Sequence, residues 1–155
     1  MSAVAEEPAM FASTAVVTAP AVPVLIERLT ALPESGWVDA GSLPAFLAQP
    51  GDAVLFVWTN PARYPECTDV AVVLPELRSA LGGGASPRFR IGVVTAEAEN
   101  EIADRYGVMR RPSLVFLRDG QYVATIPGMC DWDDFLRDAA AALVAPPTRP
   151  LRILR

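Results

Sequence analysis

The chain of 155 residues is long enough for one domain with a hydrophobic core and too short for two domains of ordinary size. Hydrophobic residues make up 52% of the chain and charged residues 20%, a balance typical of a folded globular protein. The net charge of −5 and the isoelectric point near 4.7 argue against a nucleic-acid partner, because phosphates require a basic surface.

The first 22 residues predict an extension rich in alanine, proline and valine. Its first charges are acidic, Glu6 and Glu7, and prolines interrupt the apolar residues that follow. A signal peptide would instead need a basic start and a continuous apolar core. No window of the chain approaches the ~20 unbroken apolar residues of a membrane span. We therefore expect a cytoplasmic protein, in which cysteines stay reduced.

The first half of the folded part predicts the order helix, strand, helix, strand. Residues 23–32 place leucines on one helical face, and residues 37–40 form a short strand. Ser42 is expected to cap a short helix that ends at Pro50. Residues 53–58 are apolar without alternation, which is typical of a central strand covered on both faces.

A long amphipathic helix is predicted next, with Thr68 as its cap and a kink at Pro75. Its apolar residues follow helical spacing: Val70, Val73, Leu74, Leu77 and Leu81. Residues 88–94 predict a second buried strand, and residues 96–106 predict a polar helix that ends at Gly107.

The last third predicts a β-hairpin and a closing helix. Residues 113–118 and 121–126 are expected to be strands, joined by Asp119-Gly120, a strong signal for a two-residue turn. Asp131 is expected to cap the last helix. The predicted buried stripe of this helix comprises Trp132, Phe135, Leu136, Ala139, Ala140 and Leu143.

This order predicts an α/β fold, because a parallel β-α-β unit followed by a hairpin and a helix gives a mixed sheet with helices on both faces. Such an arrangement is a thioredoxin-like three-layer α/β/α sandwich with a central mixed β-sheet. We expect the domain to span residues 23–145, between the extension at 1–22 and a basic proline- and arginine-containing tail at 146–155.

Three features resemble thioredoxin: the kinked helix, the segment DRYGVMRRPSLVFLRDGQYVATIPG and the closing helix. In thioredoxins the proline before the hairpin is cis and faces the active site, so the resemblance implies a cis Pro112. Thioredoxins also carry Cys-x-x-Cys eight residues before the helix proline, where this chain has Cys67 and Val70. Dithiol exchange needs both cysteines, so this motif cannot perform it alone.

Three segments resemble a narrower family, the HyaE/HupG hydrogenase expression proteins: GWVDAGSLPAFLAQPGDAVLF, NPARYPECTDVAVVLPEL and IGVVTAEAENEIADRYGVMRRPSLVFLRDGQYVATIPGMCDWDDFL. The family's loop pattern, Pro-x-Arg-x-Pro-Glu-Val-x-Asp, is matched here by Pro61, Arg63, Pro65, Glu66 and Asp69. The resemblance implies a non-catalytic, chaperone-like role in [NiFe]-hydrogenase maturation. The implied partner is the hydrogenase small-subunit precursor, bound through its twin-arginine signal peptide. Other hydrogenase maturation proteins are a further class of candidate partner.

A twin-arginine signal presents two guanidinium groups, which acidic loops could bind. Glu66 and Asp69 are expected to lie in a loop where neither has an obvious structural role. Helix capping is the simplest explanation of Asp131, whereas Arg110 and Arg111 are as readily solvated as bound to a partner carboxylate. The candidate partner-binding residues are Arg63, Glu66, Asp69, Arg111, Pro112 and Asp131.

Cys67 leaves a second hypothesis open, a thiol-disulfide oxidoreductase or redox sensor that uses Cys67 with or without Cys130. A helix start lowers the pKa of a thiol, whereas the neighbouring carboxylates raise it. A disulfide between the two cysteines is conceivable, although two free thiols are commoner in the cytosol. The chain has no histidine, phosphate loop or serine triad. We therefore expect no catalytic residue, no cofactor and no metal.

Overall fold

The structure is a computed structural model and describes residues 22–150. The predicted extension, apart from Val22, and the last five residues of the predicted tail lie outside this range. In chain order the helices and strands are α1 (Val24–Glu27), β1 (Ser35–Val38), α2 (Leu43–Ala48), β2 (Asp52–Val57), α3 (Glu66–Ala80), β3 (Arg90–Val94), α4 (Glu99–Arg105), β4 (Ser113–Arg118), β5 (Gln121–Pro127) and α5 (Trp132–Val144). Short 3-10 turns follow α1 at Arg28–Ala31 and precede α4 at Ala96–Ala98.

The five strands form one mixed sheet in the order β1-β3-β2-β4-β5. Strands β1, β3 and β2 are parallel, whereas β4 pairs antiparallel with both β2 and β5. Val54 of β2 lies at the centre, opposite Ile91 on one side and Phe116 on the other. The predicted thioredoxin-like fold, a central mixed sheet between two layers of helices, is confirmed.

Both faces of the sheet are covered, which explains why β2 is apolar without alternation. Val54 and Phe56 pack into a core with residues of α1, α3 and α5. Ala53, Leu55 and Val57 point the other way and pack with residues of α2 and α4. Burying each valine, leucine or phenylalanine side chain of this strand contributes about 1.5–3 kcal/mol, so the strand contributes strongly to the stability of the domain.

The hairpin and the proline before it have the predicted geometry. Asp119 and Gly120 both have left-handed backbone angles, φ of 52° and 79°, as a tight two-residue hairpin turn requires. The Arg111–Pro112 peptide bond is cis, as the resemblance to thioredoxin implied. The carbonyl of Pro112 accepts a hydrogen bond of 2.7 Å from the N–H of Gly128, which ties this segment to the chain after β5.

The start of α3 differs from the prediction. The helix begins at Glu66 rather than at Thr68, and Pro65 already has helical backbone angles, φ −61° and ψ −19°. Proline fixes φ at a helical value and is favoured at the start of a helix, where its missing N–H costs nothing. The cap expected of Thr68 was therefore wrong, and Cys67 lies inside the helix.

The buried stripe of α5 also differs from the prediction. Trp132 is 40% exposed, and Leu136 is only partly buried. The buried residues are Phe135, Ala139, Ala142 and Leu143, whereas Ala140 of the predicted stripe is exposed. Asp131 stands at the N-cap position as expected, but its side chain makes no capping hydrogen bond.

Smaller shifts affect the first two elements. The α-helical conformation of the first helix ends at Glu27 and a 3-10 turn follows it. Ile26 of the helix and Leu29 of the turn are buried, whereas Leu25 of the predicted leucine face is partly exposed. Strand β1 begins two residues earlier than predicted, at Ser35. Beyond α5, the N–H of Thr148 donates to the carbonyl of Tyr122 at 2.8 Å, so the described part of the tail lies beside β5.

Candidate functional site

A cleft of about 670 Å³ opens at the carboxyl ends of β2 and β3, between the start of α3 and the segment before β4. Loops at the carboxyl ends of parallel strands are the usual place for ligands in open α/β sheets. The cleft is lined by Thr59, Arg63, Tyr64, Pro65, Glu66, Glu99, Met109, Arg110 and Arg111.

Glu66 and Arg110 form an ion pair at the mouth of the cleft. The Arg110 Nη2 atom lies 3.4 Å from Glu66 Oε1, and the two side chains are 59% and 44% exposed. Exposed pairs of this kind contribute only about 0–1 kcal/mol to stability. The Arg110 guanidinium also lies directly over Gly128. A Cβ at this position would lie only 2.7 Å from the Arg110 Cζ atom, so a larger residue than glycine would clash with it.

Glu99 and Arg111 form a second, better buried pair deeper in the cleft. The Nε atom of Arg111 donates to Glu99 Oε2 at 2.8 Å, and both side chains are less than one-fifth exposed. Arg111 also donates to the carbonyl of Val108 at 3.2 Å and to the side chain of Asn100 at 3.4 Å. These three contacts fix Arg111 as part of the wall of the cleft.

The start of α3 determines where its two acidic residues point. Glu66 and Asp69 both belong to the first turn of the helix, where negative charge is favoured by the helix dipole. The expectation that they lie in a loop without a structural role was therefore wrong. Glu66 lines the cleft, whereas Asp69 is exposed and is not among the lining residues.

Cys67 lies beneath the cleft, with none of its surface exposed. Burial raises the pKa of the Cys67 thiol, and the negative charges of Glu99 and Glu66 raise it further. The N–H of Thr59 lies 3.4 Å from Cys67 Sγ and acts in the opposite direction. The thiol is therefore held protonated and away from solvent.

Cys130 is only partly buried, and it is a free thiol, as is Cys67. Burial is the largest cause of the raised pKa of Cys130, and the carboxylates of Asp134, Asp138 and Asp131 add to it. A disulfide between the two cysteines, which the sequence left conceivable, is not formed in this structure.

The structure brings together half of the predicted partner-binding residues. Arg63, Glu66 and Arg111 line the same cleft. Pro112 is buried directly after Arg111, and Asp131, which begins α5, is exposed and outside the lining, as is Asp69.

Sequence reasoning missed four of the lining residues, Thr59, Tyr64, Glu99 and Met109. The segment that contains Glu99 looks like an ordinary solvated helix face. Its position could have been inferred, because it follows the carboxyl end of β3 by five residues and this end of the sheet holds the cleft.

The described part of the chain, residues 22–150, contains neither a cluster of potential metal ligands nor a helix suited to span a membrane. Within that range, no group of three or more histidine, cysteine or acidic residues could hold a metal ion. No helix in the same range is long and apolar enough to cross a membrane.

Comparisons with known proteins agree on one family. Residues 25–135 match the family model described as hydrogenase-1 expression protein HyaE. The hydrogenase expression/formation protein HoxO of Cupriavidus necator is 51% identical over 146 residues, covering 93% of this chain and 88% of that protein. HupG of Rhodobacter capsulatus is 38% identical over 124 residues, covering 78% of this chain and 86% of that protein. A crystal structure of putative HupG from Rhodopseudomonas palustris has a TM-score of 0.48 and 35% identity, covering 69% of this chain and 93% of that one.

Proposed function

Because the chain belongs to the HyaE family of hydrogenase expression proteins, we propose that it is a non-catalytic accessory protein that binds the twin-arginine signal of a hydrogenase small-subunit precursor in the cytoplasm. The observation that carries this proposal is the carboxylate of Glu66, which faces an open cleft and has only a weak partner.

An incoming guanidinium can replace Arg110 on Glu66 at little cost. The existing pair is long and exposed, so breaking it costs at most about 1 kcal/mol. A peptide arginine that closes the cleft over Glu66 excludes water and can form two parallel hydrogen bonds to the carboxylate, which the present contact does not. The exchange therefore favours the peptide.

The second arginine of the signal has a site at Glu99. This carboxylate holds Arg111 through Oε2. An ionised carboxylate has about four acceptor positions, so it can accept a second guanidinium without releasing the first. Arg111 would then stay in place as part of the wall, and Glu66 would be the carboxylate that exchanges its partner.

The geometry does not favour the thiol enzyme hypothesis. A nucleophilic cysteine needs access to its substrate and a thiolate at working pH. Cys67 is fully buried, and its pKa is raised rather than lowered. An insulin-reduction assay with thioredoxin reductase should therefore show no turnover, and turnover lost in Cys67→Ser would establish the enzyme instead.

The direct test compares two labelled peptides by fluorescence anisotropy. One carries the signal sequence of the hydrogenase small subunit with its two arginines, and the other has two lysines in their place. Lysine keeps the charge but cannot form the paired hydrogen bonds of a guanidinium. We expect clearly tighter binding of the arginine peptide. Equal affinities, or no binding of either, would overturn the proposal.

A further inference from the structure

Two large apolar side chains that line the cleft, and a third that follows Gly128 in the chain, are exposed to water. Met109 is 80% exposed, Tyr64 is 47% exposed and Met129 is 37% exposed. We call these three residues the apolar rim. Exposed apolar groups bordered by polar residues mark sites of interaction.

The apolar rim is continuous with the two ion pairs. Tyr64 and Met109 line the cleft together with Glu66. Arg110 follows Met109 in the chain, and its guanidinium lies over Gly128, which precedes Met129. Met109 is therefore the chain neighbour of the arginine that pairs with Glu66, and Met129 is the chain neighbour of the glycine beneath that arginine.

We infer that the apolar rim binds an apolar peptide segment adjoining the arginines that the cleft takes up. This inference rests on the proposed function and concerns the same peptide. The chemistry of the surface defines its occupant, because the carboxylates of the cleft fit cations and the exposed methionines next to Arg110 and Gly128 in the chain fit apolar side chains. Export signals have this composition, a basic region followed by 7–15 apolar residues.

Methionine suits a surface that must accept more than one apolar sequence. Its unbranched side chain and polarizable sulfur adapt to partners of irregular shape, and surfaces that bind varied peptides use it often. Tyr64 adds a rigid ring at the opposite wall. Recognition at the rim would therefore depend on apolar character rather than on particular side chains.

The test uses two peptides and three protein variants, with affinities measured by fluorescence anisotropy. The long peptide carries two arginines and an apolar segment of about ten residues, and the short peptide ends after the arginines. Met109→Gln combined with Met129→Gln makes the rim polar. Val144→Gln is the matched control, because Val144 is 81% exposed and lies at the end of α5. Glu66→Gln removes the central carboxylate.

We expect wild type to bind the long peptide about tenfold more tightly than the short one, as the burial of about one large apolar side chain would give. The double methionine variant should still bind the short peptide, but it should bind the long peptide no more tightly than the short one. Val144→Gln should change neither affinity.

Two results would overturn the inference, and they can be told apart. If the double methionine variant keeps full affinity for the long peptide while Glu66→Gln loses it, the apolar rim is not a binding surface but the proposed function stands. If wild type binds neither peptide, the proposed function fails together with the inference. Because the short peptide measures the arginine site separately, a general loss of folding in a variant cannot imitate the expected pattern.

Discussion

Arg110 extends to Glu66 at the mouth of the cleft, where its Nη2 atom lies 3.4 Å from Glu66 Oε1 in a largely exposed ion pair. The two residues are 44 positions apart in the chain and belong to different elements. Their contact joins the start of α3 to the segment before β4, and as an exposed pair it adds little to the stability of either. In the proposed function it is the contact that opens when a peptide arginine enters.

Removal of Arg110 should strengthen peptide binding. In Arg110→Gln the carboxylate of Glu66 has no bound cation that a peptide must displace. The gain in binding free energy cannot exceed the free energy that the exposed pair contributes. We expect up to about fivefold tighter binding of a twin-arginine peptide, equivalent to about 1 kcal/mol. Anisotropy titrations of wild type and Arg110→Gln provide the measurement. Weaker binding in the variant would mean that Arg110 contacts the peptide itself.

Some parts of this structure could be predicted from short stretches of sequence, because local chemistry decides them. The turn at Asp119-Gly120 needs two left-handed residues and has them. Strand β4 was predicted with its correct ends because its apolar run stops at the same turn.

Other parts depended on competition between local signals or on contacts distant in sequence. Thr68 is a good cap, but the chain uses another helix start, with Pro65 at the cap position three residues earlier and Glu66 as the first helical residue. The expected stripe of α5 failed at Trp132, which lies on the exposed side of the first turn. No local pattern shows that Glu66 meets Arg110, since the pair depends on how the start of α3 and the segment before β4 are placed.

An ion-pair cluster at the other end of β2 should contribute to stability, and its disruption should leave peptide binding unchanged. Asp52 accepts from Arg88 at 2.5 Å and from Arg118 at 2.9 Å, and it is 15% exposed. Arg118 also donates to the carbonyls of Ala145 and Ala142 at the end of α5, at 2.6 Å and 3.0 Å. The cluster therefore joins the central strand to the last helix.

Asp52→Asn should lower the free energy of unfolding by roughly 1–3 kcal/mol, because two arginines lose a shared, partly buried carboxylate. Urea denaturation gives the value. Asp138→Asn is the control, since its pair with Arg137 is exposed and should change stability by less than about 0.5 kcal/mol. Equal stability of both variants would show that the Asp52 cluster adds nothing.

The buried thiol of Cys67 should make the free energy of unfolding fall at alkaline pH. Burial raises the pKa of Cys67 above its ordinary value of 9.0, so the unfolded chain loses this proton more readily than the folded one. The resulting contribution is present in full below pH 9.0 and is lost as the pH rises through the pKa of the folded state. Burial raises the pKa of Tyr106 in the same direction, from 10.0.

Cys67→Val removes the thiol and keeps an apolar side chain at the site. Between about pH 8 and pH 10, the variant should lose less unfolding free energy than wild type. Urea denaturation across this range measures the difference. Identical pH dependence in the two proteins would contradict the assigned burial effect. Peptide binding at neutral pH should be the same in both.

The most direct measurement for the central claim is a calorimetric titration of the twin-arginine signal peptide into wild type, Glu66→Gln and Asp69→Asn. The two variants are matched, because each removes one charge from the first turn of α3 and should cost about 0.3–1 kcal/mol of stability. Of these two residues, Glu66 lines the cleft and Asp69 does not. We predict that Glu66→Gln binds on the order of five- to 150-fold more weakly, that Asp69→Asn binds like wild type, and that added salt weakens binding in wild type. Wild-type affinity in Glu66→Gln would show that the signal peptide does not bind at this cleft.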